Sequence, residues 1–187
     1  MKPGIVVIAP IAGEAGARIR AIQRNVDPRM AAELPPHVTL IGSSGLGPIS
    51  LDTPAARLRE ALEPVTASTP PARVHFGPPM RFMQTDLVVL PLDPYGPLRT
   101  LHERMIESLR AARIVSEPAR FTFTPHCTLN FYRELPRDEL RSVLAVRVPE
   151  PVMIDCIEVF RTLDLTHTEQ LFSLPLGEEP SRTAASG

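Results

Sequence analysis

The chain says one five-residue phrase twice. Pro36-His37-Val38-Thr39-Leu40 returns as Pro125-His126-Cys127-Thr128-Leu129, and only the residue between His and Thr differs. A β-strand explains this pattern, because side chains two apart project from the same face. His37 and Thr39 then share one face, and Val38 turns to the other. His126 and Thr128 do the same, with Cys127 turned away. The residues turned away are apolar, as core-facing positions should be. Each copy therefore offers an imidazole beside a hydroxyl on a rigid element. Two such pairs face to face make a symmetric pocket for a small anion.

The flanks repeat as well. Ile5-Val6-Val7-Ile8-Ala9 is a continuous β-branched run that ends at Pro10, the signature of a buried strand. A helix is expected over 15–26, with Ile19, Ile22 and Val26 on one stripe, and Pro28 closing it. The first motif strand follows over 36–41. In the second half, Leu87-Val88-Val89-Leu90 is the buried strand. A helix over 95–113 carries Leu98, Leu101, Met105, Ile106 and Leu109 at helical spacing. A motif strand runs over 121–131 and is interrupted by Pro125. The order strand, helix, motif strand thus occurs twice, which reads as internal duplication. Two similar halves about a pseudo-two-fold axis bring the motif strands together.

The remaining elements are less symmetric. Gly42-Ser43-Ser44-Gly45-Leu46-Gly47-Pro48 is a loop. A helix over 54–62 starts at the N-cap Thr53, with Leu58 and Leu62 inward. Residues 64–72 read as a Pro/Ser/Thr linker between the halves. Short strand pieces are expected at 74–77 and 81–83. A helix over 136–146 turns Leu140, Val143 and Leu144 inward. Strands over 152–160 and 170–174 suit a hairpin. The chain reads as one domain over residues 1–176, made of two intertwined lobes, and a small, polar, disordered tail over 177–187.

Composition narrows the function. Hydrophobic residues make up 43% of the 187, charged residues 22%, and the net charge is -1. No global field is available to hold long nucleic acid, so an RNA substrate would be short or gripped locally. Of the 20 basic residues only Lys2 is lysine, which with the abundant Ala and Pro points to a GC-rich bacterial genome rather than to a function. Cys127 and Cys156 make no disulfide framework and are expected reduced. No run approaches the about 20 apolar residues of a membrane span. The opening run resembles a signal peptide, but it is short and broken by Pro10, so a cytoplasmic location is expected.

Two histidines across a phosphodiester can carry out an in-line displacement. One takes a proton from the nucleophile, and the other protonates the leaving oxygen. Each threonine hydroxyl can donate to a non-bridging phosphate oxygen. Acid, base and oxygen donors are all side chains, so no cofactor or metal is called for.

The paired His-x-Thr phrases, their preceding strands and helices, and the chain length resemble the two-histidine (2H) phosphoesterase superfamily. These are the LigT-like proteins known as 2'-5' RNA ligases and cyclic nucleotide phosphodiesterases. The resemblance runs from Ile5 to about Leu176. It implies a bilobal α+β fold, with two antiparallel sheets and flanking helices around a central cleft. It further implies His37 and His126 as acid and base, and Thr39 and Thr128 as phosphate binders. The implied activity is hydrolysis of 2',3'-cyclic or 2'-5'-linked phosphodiesters, with short RNA ends or cyclic nucleotides as substrates and the protein acting as a monomer. The chain departs from the RNA cyclic phosphodiesterase branch after each motif. Ile41-Gly42-Ser43 stands where that branch has aromatic-Leu-Gly, and Asn130-Phe131 where it has Ala-Arg, with Arg133 the nearest arginine.

Other residues are given structural roles. His102 packs in its helix or faces solvent, His75 sits in a strand-like run, and His167 lies in a hairpin turn. Phe121 and Phe123 are assigned to the core. Arg81, Phe82, Tyr132 and Arg133 flank motif strands and are assigned to packing or solvent rather than substrate. Three other function classes remain. One is a metal-dependent hydrolase ligated by His37 and His126, for which a third ligand is missing. The second is a non-catalytic module that binds RNA ends. The third is a 2'-5' ligase running the same chemistry in reverse.

Overall fold

The structure is a computed structural model that describes residues 3–82, 85, 87–119, 121–163 and 167–177. The elements, in chain order, are strand β1 (Gly4–Pro10), helices α1 (Gly13–Val26) and α2 (Pro28–Glu33), strand β2 (His37–Ile41), helix α3 (Ala55–Ala67), strands β3 (Ala72–Val74), β4 (Met80–Arg81) and β5 (Val88–Pro91), helix α4 (Pro97–Ala111), strand β6 (His126–Asn130), helix α5 (Arg137–Ala145), and strands β7 (Val152–Ile154), β8 (Cys156–Thr162) and β9 (Thr168–Pro175). The fold is mixed α+β. Its strands form a four-stranded sheet ordered β2-β1-β8-β9, a three-stranded sheet ordered β4-β5-β6, and the pair β3-β7. Every pairing is antiparallel.

The two motif strands are held in matching register. On β1 and β2, Pro10 lies opposite His37, Ala9 opposite Val38 and Ile8 opposite Thr39. On β5 and β6, Pro91 lies opposite His126, Leu90 opposite Cys127 and Val89 opposite Thr128. The register shifts at the same step in both, between Val7 and Ile8 and between Val88 and Val89. A bulge that re-aims a strand beside a site is a built feature, and here it occurs in both pairings.

The alternation expected of the phrase decides which side is buried. Val38 and Cys127 are fully buried, as are Leu40 and Leu129. They join one hydrophobic core with Ile5, Val7, Val88 and Leu90. Burial pushes the Cys127 thiol up to about 12, so it packs as a small hydrophobe. Val6 and Ile8, on the other face of β1, form a separate apolar cluster with Leu34 and Phe160. Helix α4 buries Leu98, Leu101, Met105 and Leu109, at the expected spacing.

Several boundaries differ from expectation, each for a physical reason. Pro28 opens a helix rather than simply ending one. Asp27 caps α2 by accepting from the Met30 amide at 3.1 Å, and Pro28 occupies the first helical position. The residues assigned to a linker begin as helix, because α3 runs through Pro64 to Ala67. A proline inside a helix costs about 3 kcal/mol. Continuing the turn buries Val65 along with Leu58, Ala61 and Leu62 of the same helix, and each aliphatic side chain so buried gains about 1.5–3 kcal/mol. Thr53 makes no side-chain cap on α3. Residues 152–160 split at Asp155: β7 turns to pair with β3, and only β8 forms the hairpin with β9. The expected tail beyond Gly177 and the turn at 164–166 lie outside the described residues. No described helix is long and apolar enough to cross a membrane.

Candidate active site

Strands β2 and β6 lie side by side, and His37, Thr39, His126 and Thr128 all line one cleft of about 1070 Å³. That is at the upper end of the roughly 300–1,000 Å³ usual for small-molecule sites. In both strands the burial alternates identically, with His and Thr half-buried toward the cleft and the intervening residue in the core.

The two imidazoles are anchored the same way. His37 Nδ1–H donates to the Pro35 carbonyl at 2.7 Å. His126 Nδ1–H donates to the Thr124 carbonyl at 2.7 Å. A carbonyl only accepts, so Nδ1 carries the hydrogen in each ring. Each Nε2 is thereby left as the atom able to take or give a proton. Neither Thr39 nor Thr128 has a side-chain hydrogen bond within the described residues, so both hydroxyls are available to a ligand.

Burial disfavours the charged form of both rings. His37 is held below the ordinary imidazole value, first by desolvation, with its backbone bond opposing and with repulsion from His126 and Arg20 adding. His126 is lowered by desolvation, against its bond to Thr124. Repulsion between the two rings acts on both, and the nearby Arg20 guanidinium adds a further cost to charging His37. The Phe82 ring covers His126, with centroids 4.6 Å apart.

The walls of the cleft are made largely by residues that local sequence did not mark. Phe82, Phe121, Phe131 and Tyr132 all line it, against the assignment of Phe121 to the core and of Phe82 and Tyr132 to packing or solvent. Phe121 is exposed at the rim, whereas Phe123 is buried as expected. The Tyr132 hydroxyl donates to Glu33 Oε2 at 2.9 Å, and the Arg29 guanidinium sits 4.4 Å from the Tyr132 ring centre. Burial raises the Glu33 carboxyl, with the Tyr132 bond and Arg29 opposing. Arg133 is turned away, pairing with Glu139 at 2.7 Å. Arg81 Nε donates to the Thr85 carbonyl at 3.0 Å. His75 is exposed and lies outside β3. Among the described residues the cleft is lined by no arginine or lysine; its charged lining residues are Glu33 and Glu117.

Gly42 and Gly45 shape the loop that leaves β2 along the cleft. Both have positive φ, +127° and +78°, where side chains are strained. A Cβ on Gly42 would come 2.6 Å from Val6, and one on Gly45 would come 2.2 Å from His102. The loop is closed by the Gly42 amide donating to the Leu46 carbonyl at 3.0 Å and the Gly45 amide donating to the Phe121 carbonyl at 2.8 Å. Among the described residues, no three of His, Cys, Asp or Glu gather into a cluster that could hold a metal ion.

Solved structures share this fold. TT0787 of Thermus thermophilus matches with a TM-score of 0.67 at 17% identity, over 94% of this chain and 98% of its own. Apo LigT of E. coli matches with a TM-score of 0.60 at 14% identity, over 95% of this chain and all of its own. LigT complexed with 3'-AMP matches at 0.58 and 14%, over 93% and 97%. No curated protein matches the sequence. The family model of the 2'-5' RNA ligase superfamily matches residues 11–165, most of the chain and both motif strands, and the protein belongs to that superfamily.

Proposed function

We propose that the protein is a phosphodiesterase that needs no metal and acts on 2',3'-cyclic or 2'-5'-linked phosphodiesters of short RNA ends or nucleotides. The observation that carries this reading is the pair of identically anchored imidazoles in one cleft, each with Nε2 free and a hydroxyl two residues on. His37 and His126 are the catalytic pair, and Thr39 and Thr128 bind the phosphate. The neutral ring takes a proton from water as the water oxygen bonds to phosphorus. The protonated ring gives its proton to the ribose oxygen as the P–O bond to that oxygen breaks. The product is a phosphomonoester, and the two rings exchange roles until solvent resets them. The Arg20 guanidinium near His37 favours the neutral ring there, so we assign His37 as the base and His126 as the acid. Thr39 and Thr128 meet the charge that builds on the non-bridging oxygens.

The walls support a small aromatic substrate. Phe82, Phe121, Phe131 and Tyr132 offer faces on which a base can stack. E. coli LigT, of the same fold, has been crystallised with 3'-AMP, a ligand of this size class.

The test is a screen of nucleoside 2',3'-cyclic phosphates and 2'-5'-linked dinucleotides, with and without EDTA, and with the reverse joining reaction assayed alongside. Turnover that survives EDTA and is lost in His37→Ala is expected. Turnover restricted to p-nitrophenyl phosphate, or restored only by an added divalent ion, would overturn the reading.

A further inference from the structure

The cleft exists because two edge strands lie side by side without joining into one sheet. β2 ends the four-stranded sheet and β6 ends the three-stranded one. Edge strands present backbone groups that have no ladder partner. In this protein, side chains satisfy two such carbonyls, and the donors cross over. Gln23 on α1 donates from Nε2 to the Thr128 carbonyl on β6 at 2.8 Å. His102 on α4 donates from Nδ1 to the Leu40 carbonyl on β2 at 2.7 Å. Helix α1 follows β1 in the first repeat, yet it packs on β6 of the second. Helix α4 follows β5 in the second repeat, yet it packs on β2 of the first.

We infer that Gln23 and His102 are a reciprocal pair of positioning residues, each fixing the motif strand of the opposite half so that the two His-x-Thr pairs keep their spacing across the cleft. Both side chains are deeply buried, at 5% and 2% exposure. Packing alone does not account for them. Gln23 Oε1 is buried with no partner, which costs about 1–3 kcal/mol and which an apolar side chain of the same length would avoid. What the amide gains in return is its bond to Thr128. The His102 ring is clamped as tightly, stacked on Phe123 at 3.9 Å and 9°, with Gly45 against its Nε2. A clamp of this kind is a way to hold reacting groups within the sub-ångström tolerance that catalysis needs.

The inference rests on the proposed phosphodiesterase reading for its catalytic consequence, and on geometry alone for its structural one. The experiment separates the two. Gln23→Met keeps length and bulk without the donor, His102→Leu removes the donor, and His102→Asn returns a donor near the Nδ1 position. Amide hydrogen exchange is expected to cross: Gln23→Met speeds exchange at 127–132 and leaves 38–43 unchanged, and His102→Leu does the reverse. With a 2',3'-cyclic nucleotide, kcat is expected to fall about 10- to 100-fold in both, with KM within about threefold and partial recovery in His102→Asn. Gln23→Met should cost less in a Thr128→Ala background than in a Thr39→Ala background. Exchange changes confined to each residue's own half, or none, would overturn the inference, as would unchanged kcat in an active enzyme. A crossed exchange pattern in a protein inert toward every phosphodiester would uphold the clamp and overturn the functional reading instead.

Discussion

Asp27→Ala tests how the start of α2 is tied to the loop after β6, without relying on any activity. Asp27 is 2% exposed, and its carboxylate makes three bonds. Oδ1 accepts from the Met30 amide at 3.1 Å. Oδ2 accepts from the Phe131 amide at 2.8 Å and the Tyr132 amide at 2.7 Å. The first bond caps α2, and losing a cap costs about 1 kcal/mol. The other two reach the loop leaving β6. A bond to a charged group is worth about 1.5–3 kcal/mol. Taking the low end, because the two amides share one oxygen and the opened loop admits water, the loss totals about 4 kcal/mol. For a chain of this size that lowers Tm by about 10 °C. Asp27→Asn should lose less, about 2 kcal/mol. It keeps an acceptor for either the cap or the loop, but it points an N–H₂ at the donors it abandons. Urea unfolding followed by far-UV circular dichroism measures both. A loss below about 1 kcal/mol for Asp27→Ala would refute the reasoning, since three charge-assisted bonds cannot vanish so cheaply from a buried site.

Further outcomes follow from the same geometry. His37→Ala and His126→Ala should each lower turnover about 10²–10⁴-fold, and the double variant should be little worse than the poorer single one, because acid and base act in one event; strictly multiplicative losses would mean independent roles. Thr39→Ala and Thr128→Ala should be milder, since water can replace part of a hydroxyl donor. The pH profile of kcat/KM should be bell-shaped with its maximum on the acid side of about 6.5, because desolvation lowers both rings; a maximum well above 7 would contradict buried, carbonyl-anchored imidazoles. The same sign governs stability. His37, His102 and His126 are all lowered in the folded state, so the unfolded chain binds more protons as pH falls below about 6.5. The histidine contribution should be level above that pH and fall below it, while Glu33 and Glu158, raised by burial, act in the opposite sense at lower pH; a melting scan from about pH 8 to 5.5, above the carboxylate range, checks the histidine part. Gly45→Ala should destabilise the protein, because φ is +78° and the added Cβ meets the His102 ring; a Tm unchanged within error would mean the loop relaxes freely.

What the sequence by itself determined was whatever depends on near neighbours along the chain. Strand alternation alone separated His37 and Thr39 from Val38, and His126 and Thr128 from Cys127, and the burial of both strands follows it. Helical spacing placed the inward residues of α4. The order strand, helix, motif strand recurs as β1, α1, β2 and as β5, α4, β6, but the matching registers of each strand pair appear only in the structure. Tertiary structure decided everything that joins residues far apart. Gln23 meets Thr128 across 105 positions, Asp27 meets Phe131 across 104, and His102 meets Leu40 across 62. No local pattern marks such pairs, because a buried Gln or His at a core-facing helical position looks the same whether or not an edge-strand carbonyl waits opposite it. Phe82 shows the same limit, since its place over His126 depends on how two sheets meet. Where a local rule and burial disagreed, burial won: Pro64 signals a break, but α3 continues through it to bury Val65. That His37, Thr39, His126 and Thr128 share one cleft was therefore legible in two short phrases. Its walls and its clamps came from packing, because a side chain's partners are fixed only when the helices have settled on the opposite strands.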